Sequence, residues 1–141
     1  MARRGPRAQD SKRYYDWLYK AEEDLHSARL LKAEEICHMC AAFHCQQCIE
    51  KALKAYILYQ TNILHDGHNL TWLCKQAVKL DREFIEWLDE SADLNRYYIE
   101  TRYPTDIPVE IHEAEVERAY RMAKAMYDFI LDQLGEEIEE E

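Results

Sequence analysis

The stretch "CHMCAAFHCQQCIEKALKAYILY", Cys37 to Tyr59, opens with four cysteines spaced C-x2-C-x4-C-x2-C and interleaved with His38 and His44. It reads either as a metal knuckle or as a helix. A knuckle needs a turn, but Ala41 and Ala42 are strong helix formers and no glycine occurs here. Ala42, Cys45, Ile49, Ala52, Leu53 and Tyr56 recur at helical spacing and form one apolar face. On a straight helix Cys37 and Cys48 lie about 16 Å apart along the axis, at roughly 1.5 Å per residue. Four sulfurs on one zinc ion must converge within about 4 Å. The four-cysteine site is therefore incompatible with the helix, and the helix decides the fold. Cys45 falls inside the apolar face, Cys48 flanks it and Cys40 points away, so the cysteines read mainly as small hydrophobes. A two-residue site, Cys37 with Cys40 or His44 completed from another chain, stays open. No metal and no cofactor is assigned.

The same periodicity extends on both sides. A first helix is predicted over roughly Ser11–Lys32, with Ser11 as N-cap and a stripe of Trp17, Leu18, Ala21, Leu25, Ala28 and Leu31. The second covers roughly Glu35–Gln60. "HDGHN", His65–Asn69, breaks the pattern, and Gly67 there can take positive φ. A short third helix is predicted over Leu70–Leu80 and a fourth from near Asp81, carrying Phe84, Ile85, Leu88, Leu94 and Tyr98. "TRYPTDIPVE", Thr101–Glu110, is interrupted by Pro104 and Pro108. The last helix runs from about Glu110 to Leu134, with Gly135 at its C-terminus. Nothing alternates with period two. The expected fold is all-α: an antiparallel up-and-down bundle of four long helices plus one short helix.

Composition agrees. The chain has 141 residues, 48% of them apolar and 33% charged, with only three glycines and three prolines for turns. The expected organisation is a basic, flexible arm at 1–12, a helical bundle at 13–134 and an acidic tail at 135–141. The net charge of −10 argues against broad nonspecific nucleic-acid binding. No apolar run is long enough for a membrane span, and no signal-peptide pattern opens the chain. Five cysteines in a core-like pattern point to a reducing cytoplasm.

Read together, "WLYKAEEDLHSARLL" (Trp17–Leu31), "AAFHCQQCIEKALKAYILY" (Ala41–Tyr59), "GHNLTWLCKQA" (Gly67–Ala77) and "LNRYYIETRYP" (Leu94–Pro104) resemble the HEPN domain family over roughly residues 13–133. The resemblance implies a helical bundle that usually forms homodimers and is often encoded beside a small nucleotidyltransferase. It implies one of two activities. Some members are metal-independent ribonucleases in toxin–antitoxin or antiviral systems. Others are noncatalytic binding partners. The ribonuclease branch carries an arginine, four to six residues, then a histidine near the start of the last helix. The nearest match here is Arg102 and His112, with nine residues between them, which departs from that pattern.

RNA cleavage without metal needs a base, an acid and a cation for the developing phosphorane charge. His112 suits proton transfer and Arg102 the phosphate. Arg96, Tyr97 and Tyr103 surround the same segment and suit nucleotide or RNA binding by stacking and charge. A structural reading competes: Tyr98 in the core, with Tyr97 and Tyr103 on an interhelical or dimer surface. His65 and His68 read as turn histidines bonded locally, and Glu50 with Lys54 as an ordinary solvent-facing i, i+4 pair. No Gly-rich phosphate loop, nucleophile elbow or H-E-x-x-H occurs. The resulting expectation is a noncatalytic, nucleotide- or RNA-associated homodimer working with a nucleotidyltransferase partner. The alternatives are a ribonuclease using Arg102 and His112 across a dimer, and a pure protein–protein module.

Overall fold

The computed structural model describes residues 9–100, 104, 106 and 110–136. The fold is all-helical: α1 (Tyr14–Ala33), α2 (His38–Thr61), α3 (Leu70–Leu80), a 3-10 helix (Arg82–Trp87), α4 (Leu88–Asn95), the single turn α5 (Tyr97–Glu100) and α6 (Glu113–Leu134). α2 is the central element. Helices α1, α3, α4, α5 and α6 all pack on it, and from Cys45 to Leu58 nearly every position of α2 is buried. A helix covered on nearly every side is one enclosed by its neighbours. Small residues let its neighbours approach: Ala41, Ala42, Cys45, Cys48, Ala52 and Ala55 on α2, Ala21 and Ala28 on α1, and Ala119 and Ala123 on α6 are all fully buried.

The helix ends explain where the elements stop. α1 closes with a double bond pattern, Ile36 N–H to Leu31 O and Glu35 N–H to Lys32 O, which places Glu35 in the left-handed region at φ 54°. Cys37 follows at φ 53°, so α2 starts at His38 and Cys37 stands just outside its first turn. Asn62 ends α2 at φ 59°, a conformation that asparagine tolerates better than most residues. Gly67 and Gly135 take the positive φ expected of them, 91° and 74°. Asn69 caps α3 by accepting the Trp72 N–H at 3.0 Å, and Asn95 Oδ1 accepts the Leu70 N–H at 2.8 Å. Replacing Asn69 with Ala is expected to cost about 1 kcal/mol, read as a lower urea midpoint with an unchanged m-value.

Three expectations change in detail. Ser11 is not the N-cap of α1. Arg13 is, without a side-chain cap bond, while the Ser11 hydroxyl accepts the Arg13 N–H at 3.0 Å and donates to Asp16 at 2.7 Å. α6 begins at Glu113 rather than near Glu110. The fourth helix is divided, because the chain tightens into 3-10 geometry to bury Phe84 and breaks again at Arg96. Among the described residues no helix is long and apolar enough to cross a membrane.

Candidate functional site

A cleft of about 520 Å³ lies between α1 and α6. Its floor is apolar and buried, formed by Leu18, Leu25 and Leu131 with the rings of Tyr120 and Tyr127. Tyr15 and Tyr19, one turn apart on α1, form an aromatic rim and are 55% and 62% exposed. Polar groups converge from both helices. Arg29 Nη2 lies 3.1 Å from His26 Nδ1, and His26 Nε2 lies 3.3 Å from Glu22. Arginine can only donate, so Nδ1 accepts and Nε2 carries the proton to Glu22. Among the described residues Arg29 has no carboxylate partner, and its side chain is exposed. Across the cleft Lys124 Nζ is 2.8 Å from both oxygens of Asp128. The lining combines an apolar floor, an aromatic rim, the cations Arg29 and Lys124 and the carboxylates Glu22, Asp128 and Glu136, and its size is that of a small-ligand site.

The residues singled out from the sequence are distributed differently. Arg102 and Tyr103 lie outside the described residues. His112 is the N-cap of α6, 77% exposed, with Nε2 3.8 Å from Glu110. Arg96 is exposed, with its guanidinium 5.1 Å from the Tyr97 ring centroid and Nη2 3.4 Å from Glu115. Tyr97 is buried, and its hydroxyl donates to the same Glu115 oxygen at 2.7 Å. Burial and that carboxylate hold the phenol well above its ordinary pKa. Arg96, Tyr97 and Glu115 thus clamp α5 to α6, and the Tyr97 ring is not open for stacking. Tyr98, expected in the core, is only half-buried and stacks on His68 at 4.2 Å and 15°. Tyr97 and Tyr98 follow the buried Leu94 by three and four residues, so both lie near its face, and the Glu115 bond goes with the burial of Tyr97.

A second correction concerns α2. Glu50 and Lys54 do not face solvent; both are buried, with Lys54 Nζ 3.0 Å from Glu50 Oε2. His68 Nδ1 donates to the Glu50 carboxylate at 3.0 Å and 3.1 Å, so its bond is long-range rather than local. Gln46 Nε2 bridges Glu50 at 3.3 Å and the His68 carbonyl at 3.1 Å. Burial alone would raise the Glu50 carboxyl, but the His68 bond and the Lys54 ammonium outweigh it and hold it below the ordinary value. Elsewhere on α2, Asp24 of α1 accepts from His44 Nδ1 at 2.8 Å and Lys51 Nζ at 2.6 Å. These charges are paired and staple α2 to its neighbours.

The cysteines divide. Cys45, Cys48 and Cys74 are buried, while Cys37 and Cys40 are exposed. Burial pushes the Cys45 thiol up to about 12 and Cys48 well above its usual range. Among the described residues no group of three or more His, Cys, Asp or Glu side chains converges on a metal position.

The cleft was not singled out from the sequence. The signal was present in Tyr15 and Tyr19 at i, i+4 on α1, with Tyr120, Lys124 and Tyr127 at one-turn spacing on α6. Nothing in either segment says that the two rows face each other.

A sequence profile described as the HEPN domain matches residues 14–134. Among solved structures, TT1696 from Thermus thermophilus is similar at 26% identity and a TM-score of 0.74, over 87% of this chain and 99% of that one. ST0689, an archaeal HEPN homologue, is similar at 27% identity and a TM-score of 0.69, over 87% and 98% of the respective chains. No curated protein matches this sequence.

Proposed function

Because the chain belongs to the HEPN domain family, we propose that it is a noncatalytic homodimeric module that binds a nucleotide, or a nucleotide of single-stranded RNA, and serves a nucleotidyltransferase partner. The observation that carries the ligand is the α1–α6 cleft. Tyr15 and Tyr19 offer stacking faces, and Arg29 offers a guanidinium with no carboxylate partner among the described residues. A planar base over tyrosine with phosphate toward arginine is the chemistry this arrangement favours. The volume suits one nucleotide rather than a duplex. The net charge of −10 also disfavours a long phosphate track. The dimer and the nucleotidyltransferase rest on the family resemblance.

The noncatalytic reading is supported by His112. It stands exposed beside Glu110, with nine residues between it and Arg102.

Equilibrium titration with nucleoside triphosphates and short single-stranded RNA tests the proposal. Saturable binding is expected, weakened about tenfold by Tyr19→Ala through lost stacking and made less salt-sensitive by Arg29→Ala. Absence of saturable binding would move the assignment to a protein–protein module. RNA cleavage by the purified chain, abolished in His112→Ala, would establish the ribonuclease instead.

A further inference from the structure

Cys37 and Cys40 are the exposed pair among five cysteines, and neither the cleft nor the core uses them. They are spaced C-x2-C across the first turn of α2, with Cys37 as its N-cap. The Ala41 N–H to Cys37 O bond of 2.9 Å closes that turn. With helical rise and radius, residues three apart have Cα atoms about 5 Å from each other, inside the range a disulfide spans. Cys37 makes no side-chain cap bond to the α2 N-terminus, so its exposed thiol is not held there.

A second observation concerns His44 and its partner on α1. His44 lies one turn beyond Cys40, on the same side of α2. Its Nδ1 donates to Asp24 of α1 at 2.8 Å, and Asp24 is itself fixed by Lys51 at 2.6 Å. The carboxylate sets the tautomer, which leaves Nε2 as the acceptor, and no described residue bonds to it. A carboxylate-oriented imidazole one helical turn from a thiol is within reach to activate it as a nucleophile.

We propose that Cys37 and Cys40 form a reversible dithiol–disulfide couple that exchanges with low-molecular-weight disulfides, with His44 as the base for Cys40. The Cys37 thiolate attacks one sulfur of the small disulfide, whose S–S bond breaks and releases one thiolate. The resulting mixed disulfide is resolved by Cys40. Its proton passes to His44 Nε2, its sulfur bonds to Cys37 Sγ, and the second small thiolate leaves and takes up the proton. The dithiol loses two electrons and two protons, and the small disulfide becomes two thiols. The exposure of both thiols suits a small co-reactant. This inference does not rest on the nucleotide reading.

The test uses the full chain and glutathione disulfide, with acid quenching, intact mass and peptide mapping. A single disulfide is expected between Cys37 and Cys40, with Cys45, Cys48 and Cys74 left reduced. Cys40→Ser is expected to stop at one glutathione adduct on Cys37. His44→Gln is expected to slow ring closure about tenfold or more while leaving adduct formation at Cys37 unchanged; a merely structural role would alter both steps. Circular dichroism checks that each variant folds, and the exposed Cys37 and Cys40 tolerate serine. Two stable adducts on the wild-type chain, or no reaction at either thiol, would overturn the couple. Unchanged ring closure in His44→Gln would overturn the role of His44.

Discussion

Replacing Lys54 with Ala is expected to destabilise the fold by about 3–5 kcal/mol, the loss typical when one member of a buried ion pair is removed. Lys54 and Glu50 are almost wholly buried on α2, 3.0 Å apart. Lys54 also lies 5.8 Å from the Trp17 ring centroid, so its stem contributes packing as well as charge. Its removal leaves the Glu50 carboxylate enclosed without its ammonium partner, held by hydrogen bonds from His68, Gln46 and Gln47. Single domains are stable by only about 5–15 kcal/mol, so the effect is a large fraction of the whole. The double variant Glu50→Leu with Lys54→Met separates charge from packing. It removes both charges and keeps volume, and is expected to recover most of the loss. Recovery stays incomplete because Gln46 and His68 lose the oxygen to which they donate.

The same pair gives an acid limb to the stability curve. Glu50 is held below its ordinary value in the folded chain. The unfolded chain therefore binds the proton first, and stability falls with falling pH. The loss begins near the ordinary glutamate value of about 4.3 and is complete below the folded-state value. In Lys54→Ala the cation that lowers Glu50 is gone, so the urea midpoint is expected to depend less steeply on pH in this range. An equally steep acid limb in wild type and variant would show that Lys54 does not hold Glu50 ionised.

These residues also show what the sequence can and cannot carry. The bundle was legible because helical periodicity is local: α3 runs Leu70–Leu80 as expected, since Asn69 caps it and "HDGHN" breaks the chain before it. Gly135 was legible because a helix ending in the left-handed region selects glycine. Glu50 and Lys54 were misread because i, i+4 spacing is the same on a solvated face and on a covered one. Only His68, eighteen residues away, and Trp17, from another helix, decide which it is. The tyrosines failed for a related reason. Tyr97 and Tyr98 follow Leu94 by three and four residues, so helical spacing admits either to the core, and only Glu115 and His68, from elsewhere in the chain, decide between them. The cleft needs α1 and α6 side by side, which periodicity alone does not arrange. Arg102, prominent in the sequence, falls outside the described residues, so its relation to His112 is a matter for the cleavage assay.

Phe84→Ala is expected to cost about 3–5 kcal/mol, the range for truncating a buried phenylalanine. The 3-10 helix Arg82–Trp87 cannot hold itself, because its hydrogen-bond geometry is poorer than that of an α-helix and its side chains eclipse. Its own sequence supplies one local tie, Asp81 Oδ1 accepting the Glu83 N–H at 3.0 Å. Packing supplies the rest. The Phe84 ring is fully buried, 4.6 Å from Tyr56 of α2 and 5.0 Å from Phe129 of α6, the latter edge-on at 84°. Its carbonyl accepts the Cys74 thiol at 3.5 Å, which joins α3 to the same point. The side chain thus ties the middle segment to two helices, and the backbone carbonyl of the same residue ties it to a third. Ile85, the next residue, is 55% exposed and serves as the control: Ile85→Ala is expected to stay within about 0.5 kcal/mol of wild type. Denaturant titration measures both variants. Hydrogen exchange adds the location, since amides of residues 82–95 are expected to lose protection in Phe84→Ala before those of α2 do. Equal, small effects for the two substitutions would mean that the segment is not docked through Phe84. Its division into 3-10 and α turns would then need a cause other than burial of this ring.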